Sequence, residues 1–252
     1  MENHVRSVKR AIRILELIGR DRSKRITDIS RELNIPKSSV YQIISELVNE
    51  KILEKDNESN LYFLGLKIFE LANMARFNLE IIKVSTVYLE KLNKKLDETI
   101  QLTVLESGEV LYVACLESKK RLRTHCALGE RAPLHCTGVG KAILAFMPAY
   151  EVERIIQKKG LKKFTKNTIT DKNALFKELR KISNQGYSID NMEHEDGIRC
   201  VAVPIRNHEG NVFASISVSG PSQRITKEVE SILAESMKDT AIKISTRLGY
   251  KI

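Results

Sequence analysis

The chain has 252 residues, 42% of them hydrophobic and 29% charged, with a formal net charge of +10. That length is too great for one small domain and fits two, each with an ordinary core. The longest apolar run, residues 110–116, falls far short of a membrane span.

Met1 to His4 begin no signal-peptide pattern, so the expected location is the cytoplasm. Cys115, Cys126, Cys136 and Cys200 form no C-x-x-C pair. In a chain of this size they read as reduced thiols, not as a disulfide framework. The positive charge points to a polyanionic partner and is unevenly spread. Residues 1–45 hold ten Lys/Arg against five Asp/Glu, half of the whole surplus.

In chain order, Val8, Ala11, Ile12, Leu15 and Ile18 recur at helical spacing and predict a first helix over 7–20. Thr27 is placed to cap a second helix, which runs to Leu33 and buries Ile29 and Leu33. Asn34 and Ile35 make a turn. Pro36 suits the first position of a third helix, where its missing N–H costs nothing. Val40, Ile43, Ile44, Leu47 and Val48 then point inward, while Lys37, Ser38, Ser39, Tyr41, Gln42 and Ser45 point out. A helix, a tight turn and a second helix with a polar outer face form the layout of a helix-turn-helix.

Two apolar runs around a polar turn in 52–64 predict a β-hairpin, the wing of a winged helix, punctuated by Gly65. Ile68, Leu71, Ala72 and Ala75 define a connecting helix, and Ile82, Ser85, Leu89, Leu92 and Leu96 another. From Thr99 onward, strand-like runs at 100–105, 110–116, 200–205 and 212–219 alternate with helical ones at 140–147, 151–158 and 172–185. A last helix should bury Val229, Ile232, Leu233, Met237, Thr240, Ile244 and Leu248. Returning strands of this kind imply an α+β domain with an antiparallel sheet and helices packed on it.

Two features of this second half suggest a small-ligand site. A helix starting near Gly138-Val-Gly-Lys141 would offer free N–H groups to a carboxylate, with Gly138 and Gly140 permitting close approach. It is not a P-loop, because His135 and Ala142 stand where glycine and Ser/Thr are needed. Period-two alternation also puts Ser215, Ser217 and Ser219 on one strand face, a hydroxyl row that needs partners if buried. The same row fits a solvated sheet face, and Cys200 equally fits an inert buried thiol.

With these elements in place, the chain resembles the IclR family of bacterial transcription regulators. Ser7-Val-Lys-Arg-Ala-Ile-Arg-Ile-Leu15 matches the opening helix of that family and Pro36-Lys-Ser-Ser-Val-Tyr41 its recognition helix. The more specific stretches are 129–145, 164–171, 186–190, 197–205 and 214–221. The resemblance implies a winged helix-turn-helix over 1–65, a linker helix over 66–78 and a GAF-like effector-binding and oligomerisation domain over 79–252. It implies a repressor that binds a palindromic operator as a homodimer or dimer of dimers and answers to a small carboxylate or oxo-acid, with no cofactor. Two departures stand out: the family often has Arg at the position of Gln42 and usually Gly at that of Lys51.

On this reading, Ser38, Ser39, Tyr41 and Gln42 lie in the turns that meet the base edges of the DNA, with Ser45 on the same outward face; the hydroxyls can reach bases or phosphates, and Gln42 is suited to a bidentate pair with adenine. Arg31, Lys37 and Lys55 are suited to phosphates, and Glu46 marks where contact stops. By resemblance, Gly138, Val139, Asp190, Cys200, Ser217 and Ser219 line the effector pocket, and Leu122 and Cys126 form an apolar wall. Two other functions fit some of the same residues. One is a thiol-dependent enzyme using Cys200 with a histidine base, for which no local signature exists. The other is a metal-responsive regulator, for which no ligand spacing exists. A DNA-packaging protein would have no use for the second domain.

Overall fold

The computed structural model describes residues 6–126 and 128–251, so the expectation drawn from Met1 to His4 lies outside it. The chain divides into two compact units, Met1–Leu79 and Glu80–Ile252. Among the described residues, no helix is long and apolar enough to cross a membrane.

The first unit holds α1 (Arg6–Asp21), α2 (Ile26–Leu33), α3 (Lys37–Asn49), a hairpin of β1 (Leu53–Lys55) and β2 (Tyr62–Leu64), and α4 (Leu66–Asn78). Its core gathers Ile14, Leu17, Ile18, Ile29, Ile35, Val40, Ile44, Leu53 and Tyr62. Val8 and Ile12 were expected inside but are exposed, because α1 turns the face bearing Ile14, Leu17 and Ile18 to α2 and α3. Thr27 lies within α2 and caps nothing. The N-cap is Arg25, and Asn34 closes the helix in the left-handed region at φ 52°. Pro36 is the N-cap of α3, one place earlier than expected. In the wing, Leu53 pairs with Leu64 and Lys55 with Tyr62. The tip is pinned by the Asp56 carboxylate, which accepts the backbone N–H of Glu58 at 3.1 Å.

The second unit is built on one antiparallel six-stranded sheet of order β5-β4-β3-β8-β7-β6. The strands are β3 (Thr99–Glu106), β4 (Glu109–Leu116), β5 (Arg131–Ala132), β6 (Ser188–Asn191), β7 (Ile198–Arg206) and β8 (Val212–Pro221). Alternation along them separates two cores. Ile100, Leu102, Val201, Val203, Ile216 and Val218 face α5 (Glu80–Leu96) and α9 (Lys227–Arg247). The opposite face packs α6 (Gly138–Leu144), α7 (Ala149–Lys159) and α8 (Lys172–Gln185) over Val110, Ala202 and Val212. In α9 the buried side is Leu233, Ala234, Met237, Thr240, Ala241 and Ile244; Ile232 is exposed, since it lies off that stripe.

The cysteine reading needs one correction. The sulfurs of Cys115 and Cys126 are joined, with their Cα atoms 5.9 Å apart, while Cys136 and Cys200 are free. The two lie 11 positions apart in sequence, and tertiary structure brings them together. The loop after β4 folds back on the sheet, where Gly129 donates its N–H to the Tyr112 carbonyl and Thr124 donates to the Ser219 carbonyl.

Candidate DNA-binding face and effector cavity

Val40 and Ile44 anchor α3 in the core, which turns Lys37, Ser38, Tyr41, Gln42 and Glu46 to solvent and leaves Ser39 and Ser45 half-buried at the edges. Among the described residues, the side chains of Ser38, Ser39, Tyr41, Gln42 and Ser45 have no hydrogen-bond partner within the chain, so their donors and acceptors are available to another molecule. Arg31 is exposed and holds Asp28 at 2.8 Å, one helical turn away. Lys55 is exposed at the end of β1, and Ser59 is tied to Asp56 at the wing tip. Lys51 stands where the resemblance to the family expects glycine. Lys51 adopts the left-handed conformation that glycine favours, at φ 60°.

In the second unit, α6 covers a cavity of about 390 Å³ on the inner face of the sheet. Register builds its floor: Ser217 of β8 lies opposite Gln101 of β3, and Ser219 opposite Thr99. On the other side, Cys200 of β7 pairs with both Ser219 and Asp190 of β6. The serine row is therefore buried rather than solvated. Ser215 is satisfied by Thr103 at 2.9 Å and by the carbonyl of Val139 at 3.0 Å. Ser219 meets the Cys200 sulfur at 3.0 Å, and Ser217 reaches Gln101 only at 3.5 Å.

Gly138, Val139, Asp190, Cys200, Ser217 and Ser219 all line this cavity. Leu122 and Cys126 do not. Leu122 is exposed on a loop held by Arg224, and Cys126 is tied to Cys115. The two glycines also differ in purpose. A Cβ on Gly138 would make ordinary contacts with Ala202, Cys200 and Asp190. A Cβ on Gly140 would lie 2.4 Å from the backbone of Leu134, so its bare backbone makes room for the preceding loop and not for a ligand. Thr137 caps α6 by accepting the N–H of Gly140 at 3.1 Å.

The sequence reading missed Gln101, Tyr112, Thr124, Thr137 and His194 in the lining. A signal existed for the first. Thr99, Gln101 and Thr103 alternate along β3 and face the serines of β8 residue by residue.

Burial sets the electrostatics. It pushes the Asp190 carboxyl up to about 7, against the opposing pull of the Glu193 backbone N–H. It also raises Glu193 and lowers His194 and His135. The Cys200 thiol is pushed far above its ordinary value by the same burial, which leaves it without the thiolate a nucleophile needs. Behind the lining, Lys141 is fully buried and bonded to Glu193, with Glu178 at 4.0 Å. Among the described residues, no group of three or more His, Cys, Asp or Glu side chains is arranged to hold a metal ion.

Comparison with known proteins agrees with this architecture. The family model for the bacterial transcriptional regulator IclR C-terminal domain matches residues 75–246, and that for the IclR helix-turn-helix domain matches residues 7–57. The chain is 34% identical over 246 residues to the HTH-type transcriptional regulator KdgR of Escherichia coli K12, covering 98% of this chain and 94% of that one. It is 32% identical to the HTH-type transcriptional repressor AllR of the same strain, over 97% and 91% of the two chains. A solved structure of an IclR homolog from Microbacterium hydrocarbonoxydans, complexed with 4-hydroxybenzoate, superposes with a TM-score of 0.84 at 28% identity, covering 96% and 98%. The first two of these relatives are named as a transcriptional regulator and a transcriptional repressor. With both family models matched and curated relatives aligned along nearly its whole length, the chain belongs to the IclR family of DNA-binding transcriptional regulators.

Proposed function

We propose that this regulator is a repressor whose hold on a palindromic operator is controlled by a small carboxylate or oxo-acid bound in the second unit. The observation that carries the reading is the row of buried hydroxyls, Ser217 and Ser219, opening into a cavity large enough for such a molecule. A hydroxyl desolvated without full partnership is costly, and a carboxylate supplies the missing acceptors. The 4-hydroxybenzoate in the solved relative is itself a carboxylate. Gly138, Val139, Asp190 and Cys200 complete the site.

On the DNA side, Ser38, Ser39, Tyr41, Gln42 and Ser45 read base edges, while Arg31, Lys37 and Lys55 hold phosphates. Residues 1–65 form the winged helix, 66–78 the linker and 79–252 the effector and oligomerisation domain. A palindrome requires two copies of the chain. Self-association is supported by the apolar residues that α4 leaves in solvent, among them Leu66, 76% exposed, Phe69, 73% exposed, and Met74. Coupling between effector and operator is typically 1–3 kcal/mol, a change of about 5- to 150-fold in affinity.

The test is a thermal-shift screen of small carboxylic acids with the wild type and with Ser217→Ala, followed by operator titrations with and without each stabilising acid. The expected result is a stabilising acid that weakens operator binding and is lost in the variant. Operator affinity that stays constant with every stabilising acid would overturn the reading.

A further inference from the structure

We propose that Asp190 enters the effector complex as a neutral carboxylic acid and donates its proton to the bound carboxylate, so that binding takes up a proton and weakens as pH rises. The inference rests on the effector reading above and assigns Asp190 a role as donor to an anion.

The geometry leaves Asp190 no other means of tolerating a second carboxylate. It sits on β6, paired with Cys200, under the first residue of α6: a Cβ on Gly138 would be 3.6 Å from that of Asp190. One carboxyl oxygen already accepts the Glu193 N–H at 2.7 Å. The carboxyl shares the cavity with Ser217 and Ser219, the groups that would seat the effector anion. Two ionised carboxylates confined this way cannot both stay charged without a counter-ion.

The groups facing Asp190 do not supply one. From α6 comes Lys141, but it is bonded to Glu193, with Glu178 beside it. The loop after β6 adds Glu193 itself, Glu195, and His194, whose burial favours the neutral ring. The thiols of Cys200 from β7 and of Cys136 before α6, with the phenol of Tyr112 from β4, are all held protonated by burial. At the mouth, Arg123 is engaged by Glu117 at 2.7 Å, His125 lies 3.7 Å from Glu130, and Arg131, which donates to the Glu106 carbonyl, keeps its charge in solvent, where it is screened. The neutral form of Asp190 is within easy reach, since burial, the largest influence on it, together with the neighbouring Glu193 charge, outweighs the opposing contacts and brings its carboxyl up to about 7. Protonated, it makes a short charge-assisted O–H···O⁻ bond to the effector.

The step balances. The proton comes from solvent, resides on an Asp190 oxygen and is shared with the effector carboxylate, with no other bond made or broken. It also makes the site selective for monoanions, because a second effector carboxylate would find no second proton.

The experiment is calorimetry on the intact protein with 4-hydroxybenzoate and D-gluconate, each a monoanion over the range used. It is run at about pH 6, 7 and 8 in two buffers of different ionisation enthalpy, which separates proton uptake from binding. Expected is uptake that climbs from near zero at about pH 6 toward one proton at about pH 8, with affinity about tenfold weaker at the upper end. Asp190→Asn, neutral at every pH and nearly isosteric, should bind with flat affinity and no proton uptake. Binding by the wild type without proton uptake overturns the proposal alone, and uptake that persists in the variant does so too. If neither acid binds at any pH, the effector reading fails and this proposal with it. The wild-type profile decides the matter even if the variant does not fold.

Discussion

The carbonyl oxygen of Lys51 occupies the space that a side chain on residue 65 would need: a Cβ on Gly65 would lie 2.3 Å from it. Gly65 donates its N–H to the Ile52 carbonyl at 2.8 Å, so the two ends of the wing are locked backbone to backbone. Gly65→Ala should therefore cost about 1–3 kcal/mol, the usual range for forced overpacking. Lys51→Gly should act the other way. Lys51 holds φ 60° in the exposed turn after α3, and relieving a left-handed non-glycine residue gains up to about 1 kcal/mol. Urea unfolding of the intact chain, followed by circular dichroism, measures both. A Gly65→Ala variant as stable as the parent would show that the wing yields freely.

Gln42 is exposed on α3 with no side-chain hydrogen-bond partner among the described residues, as the proposed role in choosing a base requires. Gln42→Arg should transfer preference at one operator position from adenine to guanine, with about 1–3 kcal/mol of discrimination. Lys37→Ala should instead weaken all sequences alike and reduce the salt slope by about one ion. Selection from random duplexes before and after each change separates the two. An unchanged consensus in the Gln42 variant would remove that residue from the base-reading set.

Much of this was legible in the sequence, for identifiable reasons. The helix-turn-helix announced itself because Pro36, the turn at Asn34-Ile35 and the apolar spacing of Val40 and Ile44 are all local signals. The hydroxyl row was legible because strand alternation has a fixed period, and Ser215, Ser217 and Ser219 obey it. What escaped depended on long-range packing. Val8 and Ile12 read as core because helical spacing does not say which of two apolar faces meets a neighbour. The Cys115–Cys126 pairing and the exposure of Leu122 follow from how one loop folds back on β4, which no spacing encodes. Short β6 was missed as a strand because residues 188–191 carry no apolar run.

Lys141 and Glu193 form a buried pair behind the cavity, and one Glu193 oxygen, Oε2, has no partner among the described residues. Removing one partner leaves the other charge desolvated, so Lys141→Met or Glu193→Leu should each cost about 3–5 kcal/mol. The double variant Lys141→Met, Glu193→Leu should recover most of that loss, since well-packed apolar replacements of buried pairs are often near neutral. A double-mutant cycle by chemical denaturation reads the coupling. Additive losses would mean that the two side chains do not depend on each other.

Asp190 should also leave a mark on stability in the absence of any effector. Its folded carboxyl titrates near about 7, well above the ordinary aspartate value of 3.8. Between those two values the folded chain keeps a proton that the unfolded chain has released. Stability conferred by this group is then complete in acid and declines as pH rises through the window, by about 1.4 kcal/mol per unit. Above about pH 7 both states are ionised and the slope vanishes. Glu193 is raised by burial too and adds a trend of the same sign, so the informative quantity is the difference between the wild type and Asp190→Asn. That difference should grow steadily in favour of the variant from about pH 4 to about pH 7 and then level off. Thermal unfolding across that range tests it, and parallel curves for the two proteins would place the folded-state titration of Asp190 back in the ordinary carboxylate range.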